Sequence, residues 1–292
     1  MLNALSIDVE EYFHAEIFRN GTTGRAAGTT FESRVEASVD VLLALLGTRT
    51  KATFFTLGEI AAKHPLLVRK IAMQGHEIAC HGDRHECVYQ LSPQEFRLDI
   101  RRAKQRLEDL VGTSVIGYRA PNFSIGPRES WAYEILMEEG FRYDSSTFPI
   151  LHDRYGRPGA PRFPYGIHRS GLAWLTEFPI GTARLLGVNL PIGGGGYFRL
   201  SPYELIRRGI HRVNTRERQP VMFYFHPWEL DPGQPRPPMA WWHRFRHYVG
   251  LEAEAIKLAC LLAQFTFGTA RDVLEGRERA YEAPTPAALQ AI

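Results

Sequence analysis

The chain has 292 residues, of which 44% are hydrophobic and 23% charged, which is the composition of a globular protein that can bury a sizeable core. Its formal net charge is +3, and the arginines are scattered along the sequence, so the charge pattern does not indicate nucleic-acid binding.

Cysteine usage and apolar patterning bear on the compartment. Three cysteines without a C-x-x-C pair argue against a disulfide framework and favour a reducing compartment. The first residues show no signal-peptide pattern, and the most apolar late stretch, 253–267, is interrupted by Glu254, Lys257 and Gln264. We therefore expect a cytoplasmic location and no membrane span, and we leave the oligomeric state open.

Strand-like and helix-like segments alternate through most of the chain. Short apolar runs predict strands at 4–9, 52–57, 77–80, 115–118, 141–143, 175–180 and 221–225. Helical periodicity predicts helices at 35–46, 59–73, 93–111, 128–139 and 202–213. This alternation predicts an α/β fold in which helices cover a mostly parallel sheet.

Two segments depart from this alternation. Segment 149–196 is rich in Pro, Gly, Arg and aromatic residues, which predicts a long functional loop with one strand-like island. Its four glycines at 193–196 lack the Lys-Ser/Thr of a phosphate loop, so we interpret them as a flexible turn. Residues 276–292 contain prolines and small side chains and are expected to be disordered.

Polar and ionisable residues stand where the predicted strands end. These residues are Asp8 and Glu10, His81, Arg119, Asp144 and His226. In a (β/α) barrel the carboxyl ends of the strands form the rim on which active sites are assembled. Five strands with this feature predict a functional site there.

Two pairs of histidines share the H-x-x-x-H spacing. We interpret His81 and His85 as lying on one face of a helical turn, close enough to share a metal ion, although a structural role fits this spacing equally well. His243 and His247 lie in an aromatic and basic stretch without a carboxylate, which favours surface or packing roles. Cys80 alternates away from His81 on its strand, which favours a packed thiol.

The first strand ends in two carboxylates. Side chains two apart on a strand share a face, so Asp8 and Glu10 can both point into the site while Val9 points away. The alternative is a solvated acidic turn. With both carboxylates inward, one can bind metal while the other stays free as a base. Two histidines and one carboxylate suit a hydrolytic zinc ion.

Taken in order, these motifs resemble those of the polysaccharide deacetylase family, also called the NodB-homology or carbohydrate esterase 4 group. The motifs are Asp8-x-Glu10, His81-x-x-x-His85, Arg119-Ala120-Pro121, Asp144-Ser145-Ser146 and Phe225-His226-Pro227. Segments 51–55, 75–78 and 241–250 are similar to the subgroup found beside exopolysaccharide and exosortase gene clusters. The resemblance implies a distorted, mostly parallel (β/α) barrel over residues 1–235, with a C-terminal extension, 236–275, packed on it.

The resemblance also implies roles. Asp8 is the expected general base and His226 the general acid that protonates the leaving amine. Glu10, His81 and His85 are the expected ligands of a divalent metal, with Zn²⁺ first.

Two further residues are expected to support the acid and the base. Arg119 would hold Asp8 ionised and oriented, and Asp144 would do the same for His226. Without the other motifs, Arg119 would be interpreted as a rim salt bridge and Asp144 as a helix N-cap.

Residues that bind the substrate are expected in and just after the motif Arg119-Ala120-Pro121. A backbone N–H just after Pro121 would hold the oxyanion, so Pro121, Asn122 and Phe123 are predicted to bind substrate. The aromatic cluster of Tyr224, Phe225 and Trp228, with Phe123 and Tyr197, offers apolar platforms for sugar rings, although it could equally belong to the core.

The first motif departs from the common family pattern of two adjacent aspartates. Val9 occupies the second position, so the ligand role shifts to Glu10, with Glu11 a weaker alternative. Some relatives that resemble allantoinases use a D-x-D spacing.

Three functions therefore stay open. The first is removal of N-acetyl groups from N-acetylhexosamine units of a polysaccharide or a lipid-linked precursor. The second is hydrolysis of a small non-sugar amide or imide in the manner of allantoinases. The third is a non-catalytic glycan-binding relative.

Overall fold

The computed structural model describes residues 1–19, 31–152, 155–167 and 174–282. The strands in these ranges are β1 (Leu2–Val9), β2 (Thr53–Thr56), β3 (Glu77–Cys80), β4 (Gly117–Tyr118), β5 (Tyr143–Asp144), β6 (Tyr165–Ile167), β7 (Leu175–Glu177), β8 (Thr182–Leu185), β9 (Val188–Pro191), β10 (Met222–Phe225) and β11 (Thr266–Gly268). The main sheet has the order β10-β1-β2-β3-β4-β5-β7-β6, and β11 also pairs with β1.

Helices connect these strands. They are α1 (Glu16–Arg19), α2 (Val35–Leu46), α3 (Gly58–Lys63), α4 (Pro65–Met73), α5 (Pro93–Val111), α6 (Trp131–Glu138), α7 (Gly196–Leu200), α8 (Tyr203–Arg212), α9 (Trp241–Tyr248), α10 (Leu251–Gln264) and α11 (Ala270–Glu282). Helix α5 contacts α3, α4 and α6 as well as β3, so a helical layer covers this part of the sheet.

Pairing in the main sheet is parallel except between β6 and β7. Strand β1 lies between β10 and β2, where Ile7 pairs with Phe225 of β10 and Phe54 of β2. Because the strands are parallel, their carboxyl ends meet at one rim. The predicted fold, an α/β barrel of mostly parallel strands, is confirmed.

Several predicted bounds agree with the structure, and one helix is divided. The predicted strand 77–80 and helices 35–46 and 93–111 match β3, α2 and α5. The helix predicted over 59–73 is instead two helices, α3 and α4. Pro65 begins the second of them, and His64 before it has non-helical angles (φ −128°, ψ 56°), as expected for a residue that precedes proline.

Segment 149–196 contains more regular structure than predicted. It holds β6 and β7, which pair in antiparallel fashion, and the separate hairpin of β8 and β9. The long loop was the wrong interpretation, because these strands are only three or four residues long and carry no extended apolar pattern.

The glycine run at 193–196 is a packing site, so its interpretation as a flexible turn was wrong. Tyr224 N donates to Gly193 O (2.7 Å), and Gly195 N donates to Tyr224 O (3.2 Å). Side chains at Gly194 or Gly195 would collide with Tyr224. A β-bridge also joins Ile180 to Met222. These contacts bring the segments after β7 against β10, the strand at the other end of the sheet order.

The C-terminal segment is built into the barrel. Strand β11 pairs in parallel with the start of β1. On α10, Lys257 donates to the carbonyls of Phe198, Arg199 and Ser201 at 2.8–3.1 Å, which ties this helix to the end of α7. Helix α11 spans Ala270–Glu282, and the expected disorder of 276–292 stays a prediction, of which residues 283–292 lie outside the described ranges.

Within the part of the chain that the structure describes, no helix is both long enough and apolar enough to cross a membrane.

We predict that Gly193→Ala destabilises the fold. A Cβ at this position would lie 2.6 Å from Gly181 N, and backbone cannot move aside as a flexible side chain can. The free energy of unfolding, measured by chemical denaturation, should fall by about 2 kcal/mol. Gly159→Ala is the control, because its added Cβ meets nothing within 4 Å. Equal stabilities of the two variants would contradict the close approach.

Candidate functional site

A cavity of about 520 Å³ opens at the rim formed by the carboxyl ends of the strands. Five of the predicted site residues line it together: Asp8, Glu10, His81, His85 and His226. Asp8 lies near the end of β1, and the other four follow β1, β3 and β10 in the chain.

Alternation along β1 separates the acidic residues. Asp8 and Glu10 line the cavity, whereas Val9 between them is buried in the hydrophobic core. Glu11 faces elsewhere, because its carboxylate accepts hydrogen bonds from Ser33 Oγ and from the backbone N of Arg34. Glu10, and not Glu11, is therefore the acidic member of the histidine cluster.

The loop that carries His81 and His85 is not helical, so the predicted helical turn was wrong. Its backbone turns at Gly82 (φ +81°) and at His85 itself (φ 57°). The loop is fixed from below by two backbone hydrogen bonds, Gly58 N to Gly82 O and Glu59 N to Asp83 O, each 2.9 Å. The two imidazole rings nevertheless converge, with centroids 5.5 Å apart.

Asp83 anchors the same loop to α5. Its buried carboxylate pairs with Arg102 (3.1 Å) and Arg106 (2.8 Å), and its backbone N donates to Asp99 Oδ2 (2.9 Å). These ion pairs and hydrogen bonds between the loop and α5 hold the two histidines in place, although the loop itself is not helical.

Glu10, His81 and His85 form a buried group of three possible metal donors whose ligand atoms all lie within 4.8 Å of one another. His81 Nδ1 lies 2.8 Å from the carbonyl of Arg119, which fixes Nδ1 as the donor and leaves the Nε2 lone pair for a metal. Burial lowers the pKa of His81 to about 4, so the ring is neutral near pH 7.

Glu10 is held ionised by its neighbours. His85 Nε2 lies 2.6 Å from Glu10 Oε2, and Trp228 Nε1 donates to Glu10 Oε1 (3.2 Å). Burial by itself raises the pKa of Glu10, but His85 and the other two site histidines outweigh it and hold that pKa well below its usual range. Two ligands on a tetrahedral zinc ion are roughly 3.3 Å apart, so small side-chain shifts would let this donor set hold such an ion.

Arg119 lies beneath Asp8 as predicted. Its Nη1 donates to Asp8 Oδ1 (2.6 Å), and the guanidinium is fully buried. The remaining donors go to Ser145, with Nε to the carbonyl (3.0 Å) and Nη2 to Oγ (2.9 Å). Asp8 is thus oriented by a guanidinium that Ser145 holds in place through two hydrogen bonds.

His226 faces both carboxylates of β1. Its Nε2 lies 3.6 Å from Glu10 Oε1 and 3.9 Å from Asp8 Oδ2. Burial lowers the pKa of His226, although Glu10 and Asp8 oppose that shift.

The carboxylate partner of His226 is Glu229, so the predicted pairing with Asp144 was wrong. Glu229 Oε2 lies 3.3 Å from His226 Nδ1 and accepts the His226 backbone N–H at 2.9 Å. Its other oxygen contacts Arg199, which is nearly buried. Sequence reasoning missed Glu229, although a capping box, with the acidic residue three positions after the N-cap, is a recognisable signal.

Asp144 has a different environment. Its carboxylate accepts hydrogen bonds from Ser146 N (3.2 Å) and Ser146 Oγ (2.6 Å), and burial raises its pKa. Burial and the neighbouring Asp144 carboxyl also raise the pKa of Glu177. The carboxylate of Asp144 is therefore engaged with the turn that follows β5, and the carboxylate beside His226 is that of Glu229.

Aromatic rings stack against His226. His226 stacks on Trp228 (centroids 5.1 Å apart), and Trp228 stacks on His247 of α9 (4.6 Å). His247 is buried, and burial lowers its pKa to about 3, which agrees with the packing role expected for it. Sequence reasoning did not identify Arg199 as part of the site.

Three of the four residues predicted to bind substrate face the cavity. Asn122, Phe123 and Tyr224 line the cavity, whereas Pro121 is buried and is not among the lining residues described. Asn122 and Phe123 have left-handed backbone (φ 53° and 52°), a conformation that L residues seldom adopt and that is concentrated at functional sites. Cys80 is buried in the core, where burial raises the pKa of its thiol, as expected for a packed cysteine.

Residues 19–134 match the family described as polysaccharide deacetylase. Residues 145–275 match a second family, described as a domain of unknown function (DUF3473). Asp8 and Glu10 lie outside both matched ranges, and His226 and Glu229 lie in the second.

Three curated relatives, each with deacetylase in its name, are similar to part of this chain. A peptidoglycan deacetylase-like protein of Gibberella zeae is 32% identical, over 55% of this chain and 47% of the relative. A peptidoglycan-N-acetylglucosamine deacetylase of Bacillus cereus is 32% identical over 43% of this chain and 46% of the relative. A Bradyrhizobium chitooligosaccharide deacetylase is 29% identical over 42% of this chain and 67% of the relative. The chain thus spans about half the length of the first two.

Solved structures share the fold over nearly the whole chain. A polysaccharide deacetylase from Mycobacterium smegmatis superposes with a TM-score of 0.59 at 18% identity, covering 97% of this chain and 92% of the other. An allantoinase superposes with a TM-score of 0.60 at 16% identity, covering 97% and 91%. The chain therefore shares its fold with both of these structures.

We predict that His81→Ala and His85→Ala each lose a bound divalent metal, because each removes one of three donors. The metal content of purified protein, measured by mass spectrometry of the elements, should fall from about one per chain to near zero. His243→Ala is the control, since His243 is not part of the donor group. Full metal retention in the double histidine variant would contradict the assignment.

Proposed function

We propose that this chain is a metal-dependent deacetylase that hydrolyses the N-acetyl group of N-acetylhexosamine units. The observation that carries the proposal is the juxtaposition, in one cavity, of a three-donor metal group, a separate carboxylate and a histidine. His226 Nε2 lies 3.9 Å from Asp8 Oδ2 and 3.6 Å from Glu10 Oε1, and neither Asp8 nor His226 belongs to the donor group. The family match of residues 19–134 supports the same chemistry.

Glu10, His81 and His85 would hold the metal, with zinc the first candidate because nitrogen and carboxylate donors suit it. When bound, the ion polarises the acetyl carbonyl and lowers the pKa of water.

Asp8 is the proposed general base. Its Oδ1 is occupied by Arg119, and its Oδ2 faces the cavity, 3.9 Å from His226 Nε2. The ion pair with a buried guanidinium keeps Asp8 in one orientation. From there the free oxygen can take a proton from the attacking water.

His226 is the proposed general acid. It would donate the proton on Nε2 to the departing amine nitrogen, which leaves as the free amine of the sugar. Glu229 supports this role, because a carboxylate at Nδ1 fixes the orientation of the ring and stabilises the imidazolium form. Arg199 holds Glu229 in turn.

The proposed substrate is an N-acetylated glycan or its lipid-linked precursor, in line with the resemblance to exopolysaccharide-locus proteins. The aromatic wall of Phe123 and Tyr224 supports this choice, because sugar rings pack on such faces. A cytoplasmic location stays a prediction. The fold shared with an allantoinase keeps a small amide or imide as the second candidate.

We predict that purified protein releases acetate from soluble N-acetylglucosamine oligomers faster than it hydrolyses small cyclic amides, as measured by enzyme-coupled acetate and ammonia assays. Asp8→Asn should keep its metal, because Asp8 is outside the donor group, yet lose about 10²–10⁴-fold in kcat. Faster hydrolysis of the small amides would favour the allantoinase-like function. Full metal content without any turnover would favour a binding protein.

We predict that Glu229→Gln moves the alkaline limb of the kcat/KM profile to lower pH. Burial already lowers the pKa of His226. Removal of the carboxylate beside Nδ1 further disfavours the imidazolium, so protonated His226 is lost at lower pH. Asp144→Asn should leave this limb unchanged, because its carboxylate binds Ser146. A shift in Asp144→Asn alone would restore the pairing expected from the sequence.

A further inference from the structure

Helix α9 presents large apolar side chains to solvent. Trp241, Trp242 and Phe245 have 74%, 55% and 57% of their surface exposed. The opposite face of the helix is buried through His247 and Tyr248. Exposed aromatic residues grouped in this way on one helix face mark an interaction surface, because single exposed apolar residues are ordinary but contiguous ones are not.

This face is continuous with the mouth of the catalytic cavity. Phe245 of α9 and Leu200 of α7 both line the cavity, and Leu200 is half exposed. On another side of the mouth, Leu151 has 87% of its surface exposed and precedes His152, which also lines the cavity. Arg246 Nη2 lies 3.0 Å from His152 Nε2, so α9 and the loop after β5 meet at this rim.

The charge on this face has one sign. The sequence contains no Asp or Glu between Asp231 and Glu252, whereas Arg236, Arg244 and Arg246 fall in that interval. Helix α9 itself, WWHRFRHY, holds aromatic and basic residues only. It therefore lacks the carboxylate and amide oxygens that would accept hydrogen bonds from sugar hydroxyls.

We propose that the exposed face of α9 docks on an anionic lipid bilayer, with Trp241, Trp242 and Phe245 at the acyl boundary and arginines among the head groups. Tryptophan and arginine are the residues that favour this interface, and a short amphipathic helix can bind it without spanning it. The cavity mouth then faces the membrane surface. If the proposed function holds, the acetylated sugar arrives from that surface, attached to a lipid.

The test uses the full chain and sedimentation with large vesicles. The chain is expected to bind vesicles of equimolar phosphatidylcholine and phosphatidylglycerol, and to bind phosphatidylcholine alone less tightly. The double variant Trp241→Ala/Trp242→Ala should reduce the partition coefficient about tenfold or more. Arg244→Gln should weaken binding to the anionic vesicles only. Leu66→Ala, which alters a 73% exposed side chain on α4, is the matched control and should bind like the wild type.

Acetate release from soluble oligosaccharides separates the alternatives. None of Trp241, Trp242 and Arg244 lines the cavity, so these variants should keep wild-type kcat and KM on soluble substrate. Absent vesicle binding, or equal binding by the double variant, would overturn the docking surface. A raised KM for soluble oligosaccharide in the double variant, without vesicle binding, would instead identify a glycan platform. Vesicle binding by a chain that releases no acetate would support docking while rejecting the proposed function.

Discussion

Two carboxylates buried two residues apart at the end of β1 are the constraint around which the rest of the site is arranged. Asp8 and Glu10 are each less than 5% exposed, and transfer of a carboxylate from water into such surroundings costs several kcal/mol unless it is compensated. The compensation comes from Arg119 for Asp8 and from His85 and Trp228 for Glu10. This compensation requires positively charged or hydrogen-bond-donating side chains from several segments of the chain to meet at one place. The rim of a parallel barrel brings them together, because the strands end there.

Arg119 connects the two halves of the proposed chemistry. Its side chain binds Asp8, whereas its backbone carbonyl lies 2.8 Å from Nδ1 of His81. One residue thus orients the proposed base and fixes the tautomer of a proposed metal ligand. Ser145 of the segment after β5 holds the guanidinium in turn. Loss of Arg119 would leave a buried carboxylate unpaired, at a cost of about 3–5 kcal/mol, so it is expected to affect stability as well as turnover.

The sequence predicted which residues face the site better than it predicted how they meet. Period-two alternation was enough to direct Asp8 and Glu10 inward and Val9 into the core, because a strand has only two faces. The spacing of His81 and His85 suggested a helix, but Gly82 and the anchoring of Asp83 produce an open loop with the same convergence. Local spacing is compatible with both conformations, and tertiary contacts decide between them.

Strand order around the barrel was the information that local patterns lacked. Strand β10 returns from the far end of the chain to pair directly with β1, whereas the carboxylate of Asp144 is engaged with Ser146 in its own turn. His226 consequently meets Asp8 and Glu10, and its carboxylate partner comes from the turn that it begins itself. The C-terminal region contributes both β10 and β11 to the two ends of β1 and holds α7 through Lys257. The proposed acid and its partner follow β10, and β10 and β11 both pair with β1, so residues 222–268 complete the barrel together with the N-terminal strands.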